Sequence, residues 1–454
     1  MIELHQTQYP GTENKPKRAI FVGLDFGTAY TKVVIAGASD SFAIKLRPEL
    51  SGIDTYLQPG VLTISNNGVY QLTSGREQDS YVDNLKLALI QQPDSSSARI
   101  NAAVFLACVL QKARKRFMEE QTGIFGNYHL VWHLNIGLPA ANYEDEALKN
   151  AFHRIAELGW MLSALDRPLT TKDEGFLKGI LQPPQSATDP VLDTARDRFI
   201  HTERVGILPE VQAVTVSYAA SRSRQNCLHL LVDVGAGTLD INLFGLVDLG
   251  TEHRYVCHAA KVLPLGAVYL AQHRLKQFKE RGLIINTSDA DQFSTLASLP
   301  TRGELSRQFN IAEDDIECMD GFFLNQVGTN ICDTINDVRR KYGNKVFPFF
   351  NRPLPTFLGG GGAEDPAYIG RVKKVSKDTT TKTQKGLAIN KLPMPERLQM
   401  PGLSANHFHR LAVAYGLTHD IVNLGDFINL GNGSVEYEIQ APSYRENFIA
   451  KELT

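Results

Sequence analysis

The apolar positions of this chain fall into short runs that stop at an acidic residue and a glycine. Residues 19–24 are apolar and stop at Asp25, a turn containing Gly27 follows, and a second apolar run covers 33–36. Short runs separated by such a turn predict strand, tight turn, strand. The same figure returns at 228–232, which stops at Asp233 and continues through Gly235 and Gly237 to an apolar run at 241–244. Two such hairpins predict two related lobes. Between them, 130–138 reads as a strand closed by Gly137 and Pro139, and 143–158 carries apolar residues at the three-and-four spacing of a helix. The segment 161–203 has fewer signals, and its TTKDEG and QPPQSATDP pieces predict a partly irregular insertion. A strand-to-helix passage with Pro209 at the junction is expected over 204–221.

The second half predicts two clear helices, at 266–278 and 322–342. A strand at 355–358 runs directly into Gly359, Gly360, Gly361 and Gly362. Asp365 followed by Pro366 predicts a helix N-cap and first turn. The basic, threonine-rich stretch 371–391 is expected to be a solvated loop. Its sharper alternative is a docking surface for nucleic acid or an acidic protein, built on Lys373, Lys374, Lys377, Lys382 and Lys385. A final helix capped by Ser404 is expected to carry HFHRLAVAYGLTHD, and 426–454 has no obvious class.

Length and composition narrow the picture. A chain of 454 residues exceeds one ordinary core and predicts at least two packed α/β lobes. Its 47 basic and 49 acidic residues give a formal charge of −2, so no whole-molecule attraction draws it to nucleic acid or an anionic membrane. The 5 cysteines form no C-x-x-C pair, which argues against a disulfide framework and a zinc site. Residues 1–18 read as a polar leader without the apolar core of a secretory signal. No apolar stretch approaches the roughly 20 residues that span a bilayer. The cytoplasm is the expected address, with no membrane partner.

The glycine turns suggest phosphate chemistry. Backbone N–H groups hold phosphates well, and glycine lets the chain come close enough to aim them. DFGTAYTK and DVGAGTLD both offer this, each led by an aspartate at a strand end, where a carboxylate can hold the water shell of magnesium. The phosphate contacts expected are Gly27, Thr28, Ala29, Tyr30 and Lys32 in the first hairpin and Gly235, Ala236, Gly237 and Thr238 in the second. Asp240 is read as a further cation ligand or simply a strand end. No G-x-x-x-x-G-K-[ST] loop is present, and Asp240 stands where a dinucleotide fingerprint requires glycine or alanine.

IFVGLDFGTAYTK resembles the first phosphate motif of the actin and DnaK-type chaperone superfamily, LLVDVGAGTLDI the second, and FLGGGGAEDP the adenosine motif. LPEVQAVTVSYAAS is similar to the helix that connects its two domains, LAVAYGLT at 411–418 to the second connecting helix, and PLGAVYL at 264–270 to the chaperone segment after the second hairpin. The second hairpin is closest to chaperones and bacterial shape-determining actins, whereas Lys32 matches actin and the plasmid-segregation actins.

The resemblance implies an α/β fold of two ribonuclease H-like, actin-like ATPase domains flanking a cleft for ATP or ADP with Mg2+. Domain I would comprise 19–226 plus 403–425, with an insertion at about 161–203, and domain II 227–402, with 426–454 as a tail. It also implies that Asp25 and Asp233 organise the hydrated metal and that Glu210, at the place of the chaperones' catalytic glutamate, or Gln212, at the place of actin's glutamine, positions the attacking water. The chaperone lysine opposite the γ-phosphate has no clean match in SGREQDSYVDNLK, which offers Arg76 and Lys86, so slow hydrolysis is expected. Three functions are compatible: a nucleotide switch acting on a protein partner, a self-associating filament former, and a small-molecule kinase, in that order.

Overall fold

The computed structural model describes residues 7–37, 39–72, 79–165, 167–181, 204–225, 227–248, 253–283, 300–346, 353–380, 385–420 and 424–430. The fold is mixed α/β, and the chain divides into two compact units. Unit 1 is Met1–Leu138, Asn142–Ser217 and Met394–Leu424; unit 2 is Pro139–Ala141, Tyr218–Pro393 and Gly425–Thr454.

Unit 1 is built on strands β1 (Lys17–Phe26), β2 (Tyr30–Gly37), β3 (Asp40–Ala43), β4 (Gln58–Pro59), β8 (His129–Leu138) and β9 (Arg204–Pro209), with Leu398–Gln399 at one edge. The order runs Leu398–Gln399, β3, β2, β1, β8, β9. The first three labelled strands form an antiparallel meander, and β8 and β9 lie parallel to β1 and to each other. A small sheet of β5 (Leu62–Ile64), β6 (Tyr70–Gln71) and β7 (Ser80–Val82) stands apart. Helices α1 (Leu85–Gln91), α2 (Ser96–Glu120), α3 (Glu146–Ser163), α4 (Glu174–Leu181) and α5 (Glu210–Ala219) belong to the unit, together with the short helices Thr122–Phe125 and Ala412–Gly416. Asp145 caps α3 by accepting the Leu148 N–H at 3.0 Å. The core gathers Phe26, Phe105, Phe117, Phe152 and Trp132, all essentially without solvent contact. Along β8 burial alternates over His129–His133 and is continuous over Leu134–Leu138, as in a strand covered on both faces there.

Unit 2 repeats the plan. Strands β10 (Leu228–Val234), β11 (Leu239–Asp248) and β12 (His253–Leu263) form the meander, and β13 (Leu354–Gly359) and β14 (Leu387–Asn390) add in parallel beside β10. Strand by strand, β12, β11, β10, β13, β14 matches β3, β2, β1, β8, β9 in order and direction. Helices α6 (Ala267–Glu280), α7 (Arg302–Phe309), α8 (Glu313–Val346) and α9 (Pro366–Thr379) pack around it.

Several expectations change. Of the polar leader, residues 7–16 belong to the body of unit 1: Tyr9 is buried and donates to Met118 O at 2.9 Å, and the Gln8 amide exchanges two bonds with the backbone of Leu130. Pairing of β8 with β9 starts only at His133, so Gln8 fills the backbone valences left beyond that point. Within 161–203, α3 continues to Ser163 and Glu174–Leu181 is helical, while 182–203 lies outside the described residues. The expected loop at 371–391 is instead the body of α9, whose Tyr368, Val372 and Val375 are buried, followed by β14. Lys382 and Arg76 lie outside the described residues. The expected final helix is a 3-10 turn at Ala405–Arg410 followed by the short helix Ala412–Gly416, and Ser404 makes no side-chain cap bond. Within the expected tail, Asp426–Asn429 is a strand parallel to β12.

Candidate functional site

Parallel α/β sheets present ligand-binding groups beyond the carboxyl ends of their strands. In unit 1 that edge is set by β1, β8 and β9, whose Leu24, Ile136 and Ile207 lie in one row. The next residues in each strand are Asp25, Gly137 and Leu208, and Pro209 then leads into Glu210, the first residue of α5.

Asp25 is nearly buried and lies opposite Lys32 across the hairpin, with Nζ donating to Oδ2 at 2.7 Å. The turn between them is tight: the Gly27 N–H donates to Asp25 O at 3.1 Å, and a Cβ on Gly27 would collide with Tyr30 O. Ala29 O accepts from the Gly60 N–H at 2.7 Å, and Tyr30 pairs with Pro59 of β4. Thr28, Ala29 and Tyr30 remain half-buried along the turn.

Glu210 is held from two sides. Lys86 in the first turn of α1 donates to Glu210 Oε1 at 2.6 Å, with the lysine 6% and the glutamate 17% exposed in their side chains. Gly137 supplies the other side, since a Cβ there would stand 2.7 Å from Glu210 Cγ. Lys86, which the sequence offered beside Arg76 without a clean match, has a defined place here as the partner of Glu210.

Gln212 has a different fate from Glu210. It is 2% exposed, and its Nε2 donates to Leu424 O at 3.0 Å. A helix turn carries positions 210 and 212 to different sides, so only one of them faces the strand ends. Contrary to expectation, Gln212 ties α5 to the segment ending at Leu424. The two sequence-predicted connecting helices meet inside unit 1, where a Cβ on Gly416 would clash with the backbone of Ala213.

Unit 2 presents the equivalent edge. Asp233, next to last in β10, lies beside Gly359 of β13. Gly360 has φ of 76°, and a Cβ there would strike Asp233 Oδ1 and Val234 O, while one on Gly362 would strike Val234. Gly361 opens the following turn with Gly362, so the glycine run wraps the end of β10 before Asp365 caps α9 through the Ala367 N–H at 2.7 Å. The hairpin turn is closed by the Gly235 N–H donating to Thr238 O at 2.8 Å. Its carbonyls serve the first turn of α6: Ala267 and Val268 N–H groups donate to Gly235 O and Ala236 O at 3.0 and 2.9 Å. Gly266 is the point of contact, because a Cβ there would collide with Ala236 and Gly237.

The two hairpins differ in charge. Across the first, Asp25 faces Lys32; across the second, Asp233 faces Asp240. Directly opposed residues of an antiparallel pair share a face, and like charges there repel. Asp240 Oδ2 accepts the Thr238 hydroxyl at 3.0 Å. An opposed carboxylate pair is the donor set a hard cation takes. No group of three or more His, Cys, Asp or Glu with metal-holding geometry occurs among the described residues, so a magnesium ion here would complete its shell with water and phosphate oxygens.

The five cysteines are free thiols, and no helix among the described residues is long and apolar enough to cross a membrane. No protein-family model matches the chain, and no curated protein matches it in sequence.

Proposed function

We propose that this chain binds ATP with magnesium and hydrolyses it, each unit being ribonuclease H-like in the manner of actin and DnaK-type ATPases, and that it works as a nucleotide-driven switch on a protein partner. One observation carries the reading. In both units an aspartate stands next to last in the first strand of the meander, with a glycine on the neighbouring parallel strand: Gly359 pairs with Asp233, and Gly137 follows Ile136, the partner of Leu24. A duplicated sheet order with a hairpin led by an aspartate in each unit supports a scheme in which each hairpin is suited to phosphate oxygens and a hydrated cation.

In this reading the backbone of Gly27–Tyr30 and of Gly235–Thr238 takes phosphate oxygens, and Lys32 exchanges Asp25 for phosphate. Magnesium, when bound, would supply charge neutralisation; in unit 2 Asp233 and Asp240, and in unit 1 Asp25, are the carboxylates that would hold its water. Glu210 orients the attacking water, and Lys86 holds Glu210 in place while adding positive charge near the transferred phosphoryl group. This replaces the actin-like role considered for Gln212 and favours the chaperone-like arrangement over the filament former. Catalysis is then positioning and electrostatics.

Phosphate release with ATP and magnesium tests it. Removing one preorganised charge typically costs about 3 kcal/mol of transition-state stabilisation, so Asp25→Ala and Asp233→Ala should each lower turnover on the order of 100-fold. Unaltered turnover in both proteins ends the proposal.

A further inference from the structure

Away from the strand ends, unit 1 contains a concavity. It lies between the later turns of α2, the end of α3, β6 and the segment 167–169, with a volume of about 530 Å³. That is within the range of roughly 300–1,000 Å³ typical of small-molecule sites. None of its lining residues belongs to the hairpins, Lys86 or Glu210.

Its lining is divided by chemistry. Ala107, Leu162 and Leu169 make an apolar floor, all of them buried. Cys108, Gln111, Lys112 and Lys115 share one stripe of α2 at the spacing of successive turns, and Arg167 faces the hollow from the far side. Three cations therefore line it, and no carboxylate does among the described residues.

The cations are unequally engaged. Arg167 is fixed by a two-pronged bond to Asp173 at 2.7 and 2.9 Å. Lys115 reaches Glu119 only at 4.0 Å on an exposed turn. Lys112 is half-buried and makes no hydrogen bond or ion pair within the described residues. Burial holds its ammonium below the usual lysine range, and Arg116 and Arg47 push the same way against Glu49. A desolvated ammonium beside an apolar floor gains a great deal from an incoming anion. Burial pushes the Cys108 thiol up to about 12, so the hollow has no thiolate and its chemistry is binding alone.

We propose that this hollow binds a small amphiphilic anion, an apolar body bearing one carboxylate or phosphate group, with Lys112 and Lys115 on the charged end and the floor of Ala107, Leu162 and Leu169 beneath the apolar one.

The full chain is titrated with 8-anilinonaphthalene-1-sulfonate, followed by its fluorescence, beside uncharged N-phenyl-1-naphthylamine. Lys112→Glu and Lys115→Glu should each weaken the sulfonate at least tenfold and leave the uncharged dye within twofold. Octanoate and octyl phosphate should displace the sulfonate, their ratio telling carboxylate from phosphate preference, whereas octanol and inorganic phosphate should not. Unchanged sulfonate binding in Lys115→Glu, whose exposed position leaves folding intact, overturns the proposal even if Lys112→Glu does not fold. Equal displacement by octanol, no displacement by either octyl anion, or full displacement by magnesium ATP overturns it as well.

Discussion

Asp25 and Asp233 occupy the same place in two copies of one hairpin, yet Asp25 faces an opposite charge across the ladder and Asp233 a like one. Lys32 neutralises the first, and Asp240 opposes the second. Glu210 depends on its neighbours in a similar way, through Lys86 and the bare backbone of Gly137. Gly137→Ala is therefore expected to push Glu210 away from its place; under the proposed function this lowers single-turnover ATP cleavage about tenfold or more while nucleotide affinity stays within a few-fold, and equal losses in both would indicate general damage instead. A separate residue, His229, makes one pH-dependent contribution to stability. It is fully buried on β10, stacks on Phe244, and its ring lies 3.0 Å from the Tyr218 hydroxyl. Burial lowers its pKa to about 4 from the ordinary imidazole value of 6.5. The unfolded chain then takes up a proton that the folded chain refuses, so this contribution is complete above pH 6.5 and is lost as pH falls toward 4. The loss amounts to about 3 kcal/mol at most. Urea unfolding at pH 7 and pH 4.5 should show His229→Phe losing less stability on acidification than the parent chain; equal losses would contradict it.

At the scale of elements, α9 shows how charge can conceal a helix. Lys373, Lys374 and Lys377 are exposed, and their density makes the stretch read as loop. Tyr368, Val372 and Val375 nevertheless recur at helical spacing and bury one face. Asp365 caps the helix and Pro366 occupies its first turn, which was legible from the dipeptide alone. Asp365→Ala should cost about 1 kcal/mol in urea unfolding. Replacing the three exposed lysines with glutamine should change stability by no more than about 0.5 kcal/mol, since nothing buried depends on them. The region 404–418 erred the other way: its apolar residues predict one helix, but Gly23 and Gly416 bring this segment so close to β1 and α5 that packing breaks it into a 3-10 turn and a short helix.

For the molecule as a whole, the repeated sheet order is the main finding. Each unit places its meander on one side of the first strand and two parallel strands on the other. If the acidic hairpins hold nucleotide in the folded state only, ligand adds stability by mass action, about 2.7 kcal/mol at a concentration 100 times the dissociation constant. Calorimetry should therefore show a higher melting temperature with ATP and magnesium, reversed by EDTA. An unchanged transition at millimolar nucleotide would count against the proposed function.

From its order of residues alone, the chain determined the two hairpins, the glycine run after β13, the strand-to-helix passage at Pro209 and the mixed α/β class, because each is written in local spacing and in residues with special backbone freedom. Only tertiary structure decided that Gly137 is the counterpart of Gly359, that Lys86 meets Glu210 across 124 positions, and that Gln212 turns inward to Leu424. Those relations come from strand register and helix phase. Both are set when distant segments pack against one core, and nothing in the local pattern specifies them.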